Sequence, residues 1–144
     1  IVLTLMATPS THDAPKARVL VRVRNDGRRP FWGFIQSPLL LSYRCMDGSG
    51  TMREGPRAEV APCLRPGQEV TVPLALALPE APGSYLYEIL PVIEGTAWGV
   101  HPAALSVDVT MDGPSRYRAV LKPVAVARSL TANPRRKIAP GSGP

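Results

Sequence analysis

The chain has 144 residues, with 17 Lys/Arg, 11 Asp/Glu and two His, giving a net charge of +6. Seventeen prolines and 12 glycines argue against a helical bundle and for one domain of many short strands joined by turns, long enough to bury a real core. No apolar run approaches the roughly 18 residues that a membrane-spanning helix needs, so no transmembrane span is expected.

The charge is unevenly placed. Residues 1–114 carry ten Lys/Arg against eleven Asp/Glu, a balance of −1, whereas residues 115–144 carry seven cations and no acid, a balance of +7. This asymmetry predicts a nearly neutral globular part followed by a basic tail.

In chain order, Ile1 to Ala7 predicts a first strand, and Thr8 to Lys16, with Pro, Ser, His and Asp, predicts a loop. The first residue is Ile, which fits removal of an earlier segment, and Ile1 to Ala7 is too short for a complete signal peptide. Val19, Val21 and Val23 alternate with Leu20, Arg22 and Arg24, the period of a half-buried strand that ends at Asn25-Asp26-Gly27. Residues 28–38 predict a loop crowded with Phe31, Trp32, Phe34 and Ile35. Leu39, Leu41, Tyr43 and Cys45 share one side of the next strand, Asp47 to Gly50 turn the chain, and Arg53 to Val60 suits an edge strand.

The stretch from Leu64 to Ile89 organises the rest. Pro66-Gly67 is a turn pair, because proline presets φ at one corner and glycine accepts positive φ at the next. Val70, Val72, Leu74, Leu76 and Leu78 then fall on every second position, Pro82-Gly83 turns the chain again, and Tyr85, Tyr87 and Ile89 share a side. A Tyr just after such a turn suits a tyrosine corner, its hydroxyl bonded to upstream backbone. Leu105, Val107, Val109 and Met111 alternate with Ser106, Asp108 and Thr110 in the cleanest strand of all. The pattern dissolves after Gly113-Pro114, although Tyr117, Ala119 and Leu121 alternate with Arg118, Val120 and Lys122 as one more strand would.

These elements predict an all-β immunoglobulin-like β-sandwich of about seven strands over residues 1–114, with an extended basic Pro/Gly/Arg-rich arm over residues 115–144. The order VRVRNDGRRPFW, LLLSYRCMDGSG, LRPGQEVTVPLALALPEAPGSYLYEI and EGTAW resembles small bacterial Ig-like sandwiches that accompany glycosyltransferases, methyltransferases and polysaccharide export proteins. The resemblance covers roughly residues 17–111 and rests on turns and core positions, so it implies an architecture and an accessory role. Cys45 stands where that pattern commonly has Trp, and Gly99 where an aromatic commonly follows Trp98.

Little in the chain suggests catalysis. His12 and His101 fall in predicted loops, no Ser sits in a G-x-S-x-G elbow, and the two His and two Cys lack metal-ligand spacing. Glu88 and Glu94 flank a strand without marking an acid pair. No catalytic residue, metal site or cofactor is expected. A Cys45–Cys63 disulfide would imply an oxidising compartment, but the side that Cys45 shares with Tyr43 and Leu41 favours a small buried hydrophobe.

Two surfaces remain. Phe31, Trp32, Phe34 and Trp98 form either a platform for a glycan or partner, or a plug in the open end of the core, and the plug is preferred because a domain this size needs its few aromatics inside. The arm offers Arg116, Arg118, Lys122, Arg128, Arg135, Arg136 and Lys137 to an acidic rim, with Val120, Leu121, Val124, Val126 and Leu130 as apolar anchors. The expected function is a non-catalytic structural subunit that docks, through its sandwich surface and this arm, on a larger assembly presenting an acidic or mixed apolar and acidic surface. Glycan binding is the alternative. Nucleic-acid contact by the arm ranks below both, because only Tyr117 offers an aromatic among the basic residues.

Overall fold

The computed structural model describes residues 1–6, 10–32, 39–47, 49, 52–60, 63–93, 97–98, 102–113 and 116–125. They form thirteen strands: β1 (Val2–Leu5), β2 (Ser10–His12), β3 (Lys16–Arg24), β4 (Phe31–Trp32), β5 (Leu39–Met46), β6 (Met52–Glu54), β7 (Ala58–Glu59), β8 (Cys63–Leu64), β9 (Glu69–Ala77), β10 (Gly83–Ile93), β11 (Ala97–Trp98), β12 (Ala103–Met111) and β13 (Tyr117–Val124). There is no helix among the described residues, and so none long and apolar enough to cross a membrane.

The strands build two main sheets, one ordered β1-β3-β9 and one ordered β2-β13-β12-β10-β5-β6, with β11 added on β10 and β7 on β5. A short β4-β8 ladder stands apart. The period-two pattern decides which side of each strand is buried. Val19, Val21 and Val23 of β3 pair with Leu74, Val72 and Val70 of β9. Across the sandwich they meet Leu41, Tyr43, Ile89, Leu105 and Val107 in one apolar cluster. A β-sandwich follows, because each sheet hides its greasy side only against the other.

Turn chemistry supports the register. Gln68 N–H donates to the Arg65 carbonyl at 3.0 Å and Gly67 sits at φ 79°, a type II turn whose third position requires glycine. Buried Asn25 donates to the Leu64 carbonyl at 3.0 Å and accepts from Gly27 N–H at 2.9 Å, locking the end of β3 against β8. Gly55 lies so close under Tyr43 that a Cβ there would overlap the ring.

Three differences from the sequence reading have physical reasons. The expected loop of Thr8 to Lys16 contains β2 and ends in the first residue of β3, because a three-residue strand is too short to display a period. Tyr85, expected on one side with Tyr87 and Ile89, is only half-buried and packs on the margin of the core, because it stands near the start of β10 with its hydroxyl bonded back to the Ala81 carbonyl. The third difference concerns the proposed boundary at residue 114. β13 pairs with β12 over eight residues, from Ala104↔Val124 to Met111↔Tyr117, and with β2 on its other side. Ala119 and Leu121 are buried in the core. The start of the expected arm is therefore a strand of the larger sheet. Cations on alternate outward positions do not oppose this, because the residues between them bury apolar surface.

Candidate functional site

The expected site residues divide on this strand. Arg116, Arg118 and Lys122 are exposed, as is Val124, while Val120 is half-buried opposite Asp108. Leu121 is 2 % exposed and fills the core, which corrects its assignment as a partner anchor. Val126, Arg128, Leu130, Arg135, Arg136 and Lys137 lie outside the described residues, as do Phe34, Ile35, Glu94 and His101. Of the expected platform, Phe31 and Trp32 pair through their backbone with Leu64 and Cys63, and Trp98 pairs with Val92. Both cysteines are free, Cys45 buried and Cys63 partly so.

Four tyrosines from three strands converge on one short crossover. Tyr43 accepts from Ala77 N–H at 3.0 Å and Tyr87 donates to the Ala77 carbonyl. Tyr117 donates to the Pro79 carbonyl at 2.7 Å, and Tyr85 reaches back to the Ala81 carbonyl at 2.8 Å. The end of β9 and the segment that follows carry backbone groups left over where the ladder stops, and these hydroxyls satisfy three carbonyls and one N–H among them. The Tyr43 and Tyr87 rings lie 5.4 Å apart, inclined by 33°. Burial pushes the Tyr87 hydroxyl well above the usual phenol range, reinforced by neighbouring Cys45, and burial raises Tyr117 as well. Burial also raises the Cys45 thiol against the smaller pull of Tyr87 and Arg53, which keeps it protonated and unreactive at neutral pH. Beside this cluster a cleft of about 420 Å³ runs between Asp47, Arg53, Glu54, Glu80 and Tyr85.

His12 stands on β2 rather than in a loop, its Nε2 3.0 Å from the Ser10 hydroxyl. Such a contact is ordinary between i and i+2 side chains on one side of a strand.

The larger feature is one the sequence reading missed. Lys16, Arg18, Leu20, Arg22 and Arg24 alternate with the buried valines of β3 and are all exposed, so they form one row on the outer face of the three-stranded sheet. Their partners on β9 are Ala77, Ala75, Pro73, Thr71 and Glu69. On β1, Thr4 lies opposite Arg22 and Val2 opposite Arg24. Met6 N–H donates to the Leu20 carbonyl at 3.1 Å. Small neutral neighbours on β9 leave Lys16 and Arg18 standing clear. Glu69 is the one acid in these rows, and its oxygen lies 3.6 Å from Arg22 Nε with both side chains exposed. Four cations against one acid leave this face with a balance of +3. The row spans eight residue steps, about 27 Å at the rise of a strand. Its signal was present in KARVLVRVR as a basic residue at every second position broken once by leucine, but a charge balance summed over residues 1–114 averages it away.

No protein-family model, curated protein or solved structure matches the chain.

Proposed function

We propose that the chain is a non-catalytic interaction subunit, an immunoglobulin-like sandwich of the accessory kind it resembles, that docks on an acidic partner protein through the outer face of β3. The observation that carries this reading is the row Lys16, Arg18, Arg22 and Arg24, exposed on one face beside small neutral neighbours. Charge this concentrated does nothing for the fold and tends to repel itself, so its use lies in a partner. The Ig-like part of the proposal draws support from the Tyr85 hydroxyl reaching back across the Pro82–Gly83 turn. Exposed ion pairs contribute about 0–1 kcal/mol each, so charge alone makes a weak contact. Leu20 and Met6, each 44 % exposed in the middle of the cations, supply an apolar centre that a protein partner can cover. The cations of β13 lie on the outer side of the larger sheet, so they add to the overall positive field that speeds encounter and not to this face.

A glycan reading has one observation in its favour, the cleft beside Tyr85, where Arg53, Glu54 and Asp47 offer polar groups around an aromatic wall. It takes second place because the tyrosine hydroxyls there are already committed to backbone.

The test compares the full chain with a Lys16→Glu/Arg18→Glu/Arg22→Glu/Arg24→Glu variant. Each is isolated gently, and any protein recovered with the full chain is then reconstituted with both forms from purified components. The expected result is an acidic protein whose binding weakens with salt and is lost in the variant. Equal binding by the variant, or recovery of a glycan or nucleic acid instead, would overturn the reading.

A further inference from the structure

We infer that the complement of this face is an extended acidic segment with acids at two alternate positions, an apolar residue at the next and acids at the following two. The inference rests on the docking reading and sharpens it.

The row on β3 reads cation, cation, apolar, cation, cation at every second residue. A ligand strand laid along it has the same rise and the same period, so its side chains stay in step over the whole row, about 27 Å. A helix on the same face would bring side chains round every three or four residues and meet only part of it. The right-handed twist that curves β3 is shared by any extended L-chain above it. The centre of the pattern is set by Leu20, flanked by Pro73 of β9 and by Met6, one residue past the end of β1. The Thr71 hydroxyl lies 3.7 Å from the Met6 sulfur, holding that side chain over the sheet. An apolar residue at the ligand's middle position covers this spot, whereas a phosphate chain has nothing to place there. No outward-facing side chain of β3 or β9 is aromatic, so unstacked bases find no platform.

The two ends of the row are not equivalent. Lys16 and Arg18 stand beside Ala77 and Ala75, while Arg22 is already approached by Glu69 at 3.6 Å. Glu69 therefore competes with the ligand at that end, and Glu69→Gln should tighten binding.

The probe is a blocked peptide, Glu-Thr-Glu-Thr-Leu-Thr-Glu-Thr-Glu, titrated at low salt into the full isotope-labelled chain and followed by amide NMR shifts. The control is its isomer, Glu-Glu-Thr-Thr-Leu-Thr-Thr-Glu-Glu, with the same charge out of step. The expected result is shifts confined to β1, β3 and β9, with the periodic peptide on the order of tenfold tighter, as two additional well-placed ion pairs would give. Glu69→Gln strengthens it and Leu20→Thr weakens it. Equal affinity for the isomer, or tighter binding of an oligothymidylate of equal charge, would overturn the inference. If the two peptides bind alike while a purified acidic partner still discriminates the four-glutamate variant, docking stands and the strand-period match falls. If that variant binds everything as the full chain does, both readings fall.

Discussion

The two outer faces of the sandwich are both built by strands that alternate inward and outward, yet they differ in almost every respect. On the three-stranded sheet the outward residues of β3 are Lys16, Arg18, Leu20, Arg22 and Arg24, all in solvent. On the larger sheet the outward positions Ser42, Glu88, Leu90, Val92 and Ala104 are buried, separate from the main apolar cluster. Ser42 donates to the Gly55 carbonyl at 2.9 Å and accepts from Arg57 at 3.1 Å, and Glu88 lies fully buried directly opposite Arg44. That patch of the larger sheet is thus interior and constrained by packing, although Asp108, Thr110, Arg118 and Lys122 on the same side of the sheet are exposed. The exposed face of β3 is free of packing demands, which leaves its residue types open to the docking role proposed for it.

The largest effect expected from this contrast is loss of the fold on cutting the chain after Pro114. That cut removes β13, with buried Ala119 and Leu121 and the Tyr117 hook to Pro79. A core Leu alone is worth about 2–5 kcal/mol, against a total near 5–15 kcal/mol for a domain, so circular dichroism should show no cooperative melt. A truncated chain that melts like the full one would return β13 to the status of an arm.

Next comes a single substitution made on both faces. Leu90→Lys places an ammonium at a position with no solvent exposure and should cost more than about 3 kcal/mol, read as a fall in Tm of ten degrees or more. Leu20→Lys adds a fifth cation to the exposed row and should stay within about 0.5 kcal/mol. Similar costs at the two positions would erase the distinction between the faces.

Smaller effects come from the tyrosine cluster. Tyr117→Phe leaves the Pro79 carbonyl without its donor and should cost about 0.5–1.5 kcal/mol in denaturant unfolding. Cys45, Tyr87 and Tyr117 all ionise later in the folded chain than at their ordinary values of 9.0, 10.0 and 10.0. The unfolded chain therefore gains by losing these protons first. Their contribution is fully present below about pH 9 and is lost as the pH rises beyond it, so Tm should fall steadily on the alkaline side.

Much of the fold was legible in the sequence because burial on one side imposes strict alternation. Val19 to Val23, Val70 to Leu78 and Leu105 to Val109 could be assigned to their inner faces from spacing alone, and the Tyr85 hydroxyl contact from the Pro82–Gly83 turn before it. Where both sides are buried the alternation disappears, so the second apolar layer around Leu90 and Val92 left no periodic signal. β13 was half legible. Tyr117, Ala119 and Leu121 showed the period, but the seven cations after residue 114 drew attention to charge instead. The basic face escaped because net charge is a sum, and a sum discards which side of a strand each cation occupies.

The most direct test of the account sets folding against binding in the same pair of proteins, the full chain and Lys16→Glu/Arg18→Glu/Arg22→Glu/Arg24→Glu. Their thermal melts are recorded beside their binding of polyglutamate at low salt. The account predicts melts that agree within a few degrees and polyglutamate binding that disappears in the variant. Unchanged binding with the row reversed would contradict it.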